Sequence, residues 1–294
     1  MTYNGWVIYN GYLRSNKFFD YANMIHEAAT YYGHESKLFK NNELISFLEK
    51  LSIQSMDTDV TLPDYVVFTD KDVYLAKQLE LLGVPVYNSS QAIEISDDKI
   101  KTYQILGSKN IPIPKTIFAP KTYGNDIDHK FVETVKHIFP FPFIVKEAFG
   151  SFGEQVYLVK NERDLTECLH KVNGKPFMFQ QFISTSFGKD IRLQVVGDEV
   201  VAAMKRTSEG DFRANVTSGA KMEPYEPNET EKQLAIEATR AIGAHFAGVD
   251  LLFGEHSPIV CEINSNAHIR NLLDCTGINV AFDLIKFIEN DLRS

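Results

Sequence analysis

Cysteine is scarce in this 294-residue sequence. Cys168, Cys261 and Cys275 are too few and too scattered for a disulfide framework or a cysteine-rich zinc site. No apolar run approaches the ~20 residues of a membrane-spanning helix. The opening Met1-Thr2-Tyr3-Asn4-Gly5-Trp6 lacks the basic and apolar regions of a signal peptide. Positive charge is also in deficit, with 39 acids against 30 Lys and Arg and a net charge of −9. This argues against a general nucleic-acid coat, though not against a local basic cleft. Several motifs are missing too. No G-x-G-x-x-G follows the first apolar run, so a dinucleotide cofactor is not assigned there. The eight histidines show no H-E-x-x-H spacing, and there is no G-x-S-x-G elbow. What remains is 44% hydrophobic and 23% charged, an ordinary balance for a globular, enzyme-sized chain. A cytoplasmic protein with an acidic surface is the simplest expectation.

The first ~90 residues alternate strand and helix signals at the usual lengths. Trp6 to Tyr9, Ser36 to Phe39, Tyr65 to Phe68 and Val84 to Tyr87 read as strands. Phe18, Ala22, Ile25 and Ala29 fall at helical spacing, as do Val73, Ala76, Leu79 and Leu82, and Gly33 and Gly83 close these helices. This rhythm predicts a parallel α/β domain over residues 1–90. Asp97 or Asp98 then caps a helix to about Gly107, and Ile111-Pro112-Ile113-Pro114 is a stiff extended link. Strands at Phe141 to Lys146, Gln155 to Val159 and Phe177 to Gln181, with helices between them, predict an α+β subdomain. The pattern predicts two hairpins, at residues 191–205 and 249–263, separated by a helix that opens on an Asn228/Glu231 capping box. A helix near Asn279 to Asn290 closes the chain.

The sharpest local pattern is Cys261-Glu262-Ile263-Asn264. Alternation puts Glu262 and Asn264 on one strand face. Asp250, on the paired strand, is placed to join them. Two carboxylates and an amide oxygen are hard ligands that suit magnesium; a plain solvent-facing strand surface has the same composition. The same alternation turns Cys261 away from Glu262, towards the core. Lys146 ends an apolar strand and precedes Glu147-Ala148-Phe149-Gly150-Ser151-Phe152-Gly153. A lysine beside such a loop can hold phosphate oxygens, but no G-K-[ST] makes this a Walker loop, and a simple hairpin remains open. Asp190 and Arg192 share a strand face, and Arg206 and Arg213 follow. Cations near a metal site can neutralise a transferring phosphoryl group; on strands they can equally be surface charge.

The order of these features resembles the ATP-grasp superfamily, and within it the RimK-like ligases. The matching stretches are Asp98-Lys99, Phe143-Ile144-Val145-Lys146, Gln180-Gln181-Phe182-Ile183, Asp190-Ile191-Arg192, Val195-Val196-Gly197-Asp198, Gly210 to Asn215, Gly248-Val249-Asp250 and Glu262-Ile263-Asn264. The resemblance implies an ATP-grasp fold over residues 91–294, with a central subdomain at about 115–182 and a C-terminal one at about 183–294. It implies that Lys99 and Lys146 contact the ATP phosphates under the loop at Gly150 to Gly153. Gln181 and Phe182 would hold adenine, Asp190 would reach the ribose, and Arg213 and Asn215 would lie near the phosphates. Asp250, Glu262 and Asn264 would bind magnesium (or manganese), and Arg206 would stabilise the transferring phosphoryl group. Two departures stand out. Gln181 replaces a frequent Glu, and Ser265-Asn266-Ala267-His268 replaces a frequent Ser-Pro-Gly segment beside the acceptor site. The implied activity is ATP-dependent ligation of a carboxylate to an amine through an acyl phosphate, with glutamate or another amino acid added to a peptide, protein or small acid. A small-molecule kinase and a non-catalytic nucleotide-binding module are the alternatives. The resemblance also implies a homo-oligomer.

Overall fold

The computed structural model describes residues 1–56, 60–123, 127–151, 153–214 and 219–294. The first third contains β1 (Asn4–Tyr9), α1 (Asn16–Tyr31), β2 (Glu35–Lys40), a hairpin of β3 (Leu44–Phe47) and β4 (Ser52–Ser55), β5 (Tyr65–Phe68), α2 (Val73–Leu81) and β6 (Val86–Tyr87). Strands β2, β1, β5 and β6 lie side by side in that order, and every pairing is parallel. Trp6, Ile8, Val66 and Phe68 pack with Leu75 and Leu79 of α2, while Val7, Tyr65 and Val67 pack with Tyr21 and Ile25 of α1. Burial on both faces explains why Tyr65-Val66-Val67-Phe68 is apolar without interruption. Chain order reverses between β1 and β5. The ends of those strands, near Asn10 and Asp70, therefore open the crevice where sheets of this kind bind ligands.

Two helices, α3 (Ser90–Asp97) and α4 (Lys99–Ser108), lead out of this layer. Asp98 caps α4 by accepting hydrogen bonds from the backbone N–H groups of Ile100 and Lys101. The next elements are β7 (Thr116–Phe118), α5 (His129–Ile138), β8 (Phe143–Glu147), β9 (Val156–Val159), α6 (Glu162–Val172) and β10 (Phe177–Gln181). Their strands form an antiparallel sheet in the order β7-β10-β8-β9. Helices α5 and α6 cover one face, where Val135 and Leu165 meet Phe143, Val145 and Phe179. The other face carries Ile144, Lys146, Met178 and Gln180 by alternation.

The last third holds β11 (Lys189–Val196), β12 (Glu199–Thr207), β13 (Lys221–Pro224), α7 (Glu229–Ala241), β14 (Phe246–Phe253), β15 (Pro258–Asn264), α8 (Arg270–Thr276) and α9 (Val280–Asp291). The strands form an antiparallel sheet ordered β13-β12-β11-β14-β15. Leu234, Ala235 and Ala238 of α7 bury one face, against Leu193, Val249 and Ile263. On the other face Val196, Ala202, Met204 and Phe246 share a core with α1 and α9. The short elements β3, β4, β7, β13 and α8 have no counterpart in the sequence reading, because three to seven residues carry too little periodicity. No helix among the described residues is long and apolar enough to cross a membrane.

Candidate active site

Strand register gathers the polar residues of the C-terminal sheet. Asp190 pairs with Arg206, Arg192 with Asp250, Asp250 with Glu262, and Gly248 with Asn264. Directly paired residues point to the same side of a sheet, so all six polar side chains leave one face. Asp250 is buried and held by two guanidiniums. Arg192 donates from Nε and Nη2, each at 2.7 Å, and Arg206 Nη2 lies 2.9 Å away. Arg206 also grips Asp190 with two bonds, at 2.7 and 2.6 Å. Burial raises the Asp250 carboxyl, but Arg192 and Arg206 outweigh it and hold the group below the usual carboxylate range. Burial pushes Asp190 up, against the pull of Arg206.

The facing wall comes from α4 and the central sheet. Asp98 sets Lys99 at the first helical position, where its ammonium donates to the Gly150 carbonyl at 2.8 Å and lies 3.4 Å from Glu262. The Lys99 backbone N–H donates to the Ala148 carbonyl, which ties the helix start to the glycine loop. Lys146 is buried, with its Nζ 3.5 Å from the Tyr103 hydroxyl and 3.7 Å from Cys261 Sγ. Cys261 therefore departs from the expected core orientation. A register shift between Asp250 and Leu251 leaves it as the extra residue of a bulge, and its thiol meets Lys146. Arg213 pairs with Asp211 and donates to the Gly153 carbonyl at 2.7 Å, linking two loops. Gly188 allows the Asp211 loop to dock, since its φ is +63° and an added Cβ would lie 2.8 Å from the carbonyls of Asp211 and Ser208.

Lys99 thus reaches Glu262, Lys146 reaches the neighbouring Cys261, and Glu262 shares its sheet face with Asp250 and Asn264. Gln181 is exposed and sits opposite Phe143 on the helix-covered side of its sheet. Its neighbour Gln180 is buried on the opposite face, donates to Thr116 Oγ1 at 2.9 Å and lies beside the Tyr103 hydroxyl. Phe182 is half-buried, with its ring edge-on to Phe187. Asn215 and the Phe152 part of the glycine loop lie outside the described residues. Arg192, named in the sequence only as a candidate cation beside Asp190, pairs with Asp250, and Gln180 and Tyr103 join the site without having been assigned to it. The signal for Tyr103 was its position four residues after Lys99, which puts both on one helix face.

The segment after Asn264 folds back over β14. An added Cβ on Gly248 would lie 2.5 Å from Ala267 Cβ, so this close passage needs glycine. Ser265 Oγ is 2.7 Å from Ser96 Oγ, and Asn266 Nδ2 donates to the Asp70 carbonyl at 2.5 Å. His268 packs against Phe18 and Tyr21. The replaced segment thus reaches the crevice at the ends of β1 and β5. For a divalent cation, the donor set is two carboxylates and one amide. Among the described residues no group of three or more His, Cys, Asp or Glu side chains is placed to hold a metal. Among the described residues Asn264 Nδ2 is buried without a hydrogen-bond partner, the Asp250 oxygens are taken up by Arg192 and Arg206, and Glu262 is paired with Lys99; oxygen donors of this kind are the type magnesium takes.

A parallel α/β layer followed by two antiparallel sheets that enclose a lysine- and carboxylate-lined cleft defines the ATP-grasp fold. A family model described as the RimK-like ATP-grasp domain matches residues 96–288. The chain belongs to this family of ATP-grasp carboxylate–amine ligases. It is 34% identical over 260 residues to the uncharacterized MG012 homolog of Mycoplasma pneumoniae, covering 84% of this chain and 88% of that protein. It is 37% identical over 220 residues to a probable alpha-L-glutamate ligase of Picosynechococcus, covering 74% and 71%. Among solved structures, the ATP-grasp ligase PsnB with a phosphomimetic variant of its minimal precursor, Mg and ADP superposes with a TM-score of 0.73. The identity there is 18%, over 98% of each chain.

Proposed function

We propose that this protein joins a carboxylate to the amino group of an amino acid, glutamate being the first candidate, at the expense of ATP. Residues 1–90 would form the leading domain and 91–294 the grasp, with subdomains at about 115–182 and 183–294. The observation that carries the proposal is that Lys99 lies 3.4 Å from Glu262, which shares a sheet face with Asp250 and Asn264, while Lys146 meets Cys261 beside it. Lysine ammonium groups grip phosphate oxygens as point charges. Asp250, Glu262 and Asn264 would hold magnesium, with manganese an alternative. A cation there supplies charge neutralisation to the polyphosphate. Arg206, fixed by Asp190 and Asp250, would face charge that develops on the transferred phosphoryl group.

The substrate carboxylate attacks the γ-phosphorus, and ADP leaves. The resulting acyl phosphate then takes up the amine, and inorganic phosphate departs. The protein orients the reactants and neutralises charge, so no nucleophilic side chain is required. The acceptor would lie in the crevice where Ser265-Asn266-Ala267-His268 meets Asp70, whose carboxylate accepts from Asn10. Relatives named as probable alpha-L-glutamate ligases support glutamate, and the ATP-grasp ligase PsnB, which shares the fold, is seen with a precursor peptide, so a peptide is among the acids to test. The test is ADP release over acids and peptides, each with and without an amino acid, with product masses measured. ADP release only when acid and amine are both present, with a product heavier by one residue, is expected. A phosphorylated product without an amine would make the protein a kinase.

A further inference from the structure

We propose that Tyr103 positions Lys146 for the nucleotide and so sets nucleotide affinity without touching the nucleotide. This rests on the assignment of Lys146 to the phosphates. Lys146 comes from a buried strand position, yet among the described residues its side-chain hydrogen-bond partners are a phenol and a thiol rather than a carboxylate. An ammonium has three N–H donors. Two go to Tyr103 Oη and Cys261 Sγ, and among the described residues no hydrogen bond takes the third.

The Tyr103 hydroxyl is fixed from the other side. It donates to the Cys261 carbonyl at 2.6 Å, which occupies its single proton. Its lone pairs are then left to accept from Lys146. The bulge at Cys261 makes this possible, because an extra residue in a ladder leaves its carbonyl unpaired. The Tyr103 ring adds to the hold, with Lys146 Nζ 5.7 Å from its centroid. Tyr103 is buried, and it touches the central sheet through Lys146 and the C-terminal sheet through Cys261. Being on α4, it moves with Lys99. One helix therefore places both phosphate-facing lysines, Lys99 directly and Lys146 through a hydroxyl.

Tyr103→Phe keeps the ring and removes the hydroxyl. The test measures ATP binding by calorimetry in the wild type, Tyr103→Phe, Lys146→Met and the double variant, with steady-state kinetics and melting temperature alongside. Tyr103→Phe is expected to weaken ATP binding about tenfold, the effect of one hydrogen bond to a charged group. KM for ATP should rise in step, while kcat at saturating ATP stays within about threefold. In the Lys146→Met background the Tyr103 change should add nothing, since residues acting through one another are not additive. A lower melting temperature with unchanged ATP affinity would show a purely structural hydroxyl and overturn the proposal. So would a full tenfold effect persisting in the Lys146→Met background. If Lys146→Met itself binds ATP like the wild type, the assignment of Lys146 falls and takes this inference with it. If only Tyr103→Phe is silent, the inference alone fails.

Discussion

Arg206 and Asp250 meet at 2.9 Å inside the C-terminal sheet, and the same guanidinium nitrogen lies 2.6 Å from Asp190. One buried cation thus spans two buried carboxylates, and Arg192 completes the charge balance from the adjacent position. Register alone brings these groups to one face, but only the packed sheet removes them from water. A buried pair broken on one side leaves an uncompensated charge, which costs about 3–5 kcal/mol.

Arg206→Lys should therefore be far from conservative. Lysine keeps the charge but cannot bond Asp190 and Asp250 through a planar fork. A loss of turnover of about 100-fold is expected, together with a melting temperature lower by several degrees. Steady-state kinetics and thermal unfolding check both. Wild-type turnover in this variant would remove Arg206 from the chemistry.

Glu262 offers the contrasting case. Its side chain is 33% exposed, and the ion pair to Lys99 is 3.4 Å long. Glu262→Gln should leave stability within about 0.5 kcal/mol, as for other surface positions. Turnover should fall at least about 100-fold, because a hard anionic oxygen is lost from the cation site. Chelation of divalent cations should abolish activity in the wild type, and added magnesium should restore it. A magnesium titration of the wild type and Glu262→Gln is the check.

Gly248 tests the path of the segment after Asn264. A methyl group there would sit 2.5 Å from Ala267 Cβ. Gly248→Ala should cost about 1–3 kcal/mol by overpacking, measured as a lower urea midpoint. Because the segment must shift, KM for the acceptor should rise more than KM for ATP.

His268 should make stability depend on pH. Burial, with Lys17 and Arg192 adding to it, lowers its pKa from the ordinary 6.5 to about 4. The folded protein therefore keeps a neutral ring in a range where the unfolded chain takes up a proton. Stability from this group is fully present above pH 6.5 and is lost as pH falls through about 4. The total loss is up to about 3 kcal/mol. Urea midpoints from pH 7.5 to 4, wild type against His268→Phe, isolate its contribution from that of the carboxylates. Parallel curves would show that the imidazole is not held neutral.

Much of the architecture was legible in sequence because its cues are local. The capping acid of α4, the Asn228/Glu231 box, the glycines after α1 and α2, and the continuous apolar run of β5 each act within a few residues. The hairpin β3–β4 and strand β13 were not legible, since their short runs gain their place from contacts distant in sequence. In the site, Glu262, Asn264, Asp190 and Arg192 could be paired by strand alternation. Cys261 could not, because a bulge interrupts alternation and nothing in four consecutive residues announces it. Gln181 and Gln180 differ in the same way, as register and burial, rather than residue type, decide which one lies beside the Tyr103 hydroxyl.

By itself the amino-acid order determined the parallel layer and the later strand and helix signals, which follow from backbone periodicity and capping and need no partner far along the chain. It also placed the oxygen-bearing and cationic residues in an order whose phosphate roles only the resemblance to ATP-grasp ligases implied. Tertiary packing alone decided that Asp250 is shared by two arginines, that Lys146 rests on a tyrosine from another element, and that the segment at residues 265–268 crosses Gly248 to reach the first sheet. Such contacts join positions up to about two hundred residues apart, and only burial in a common core brings them within hydrogen-bond distance.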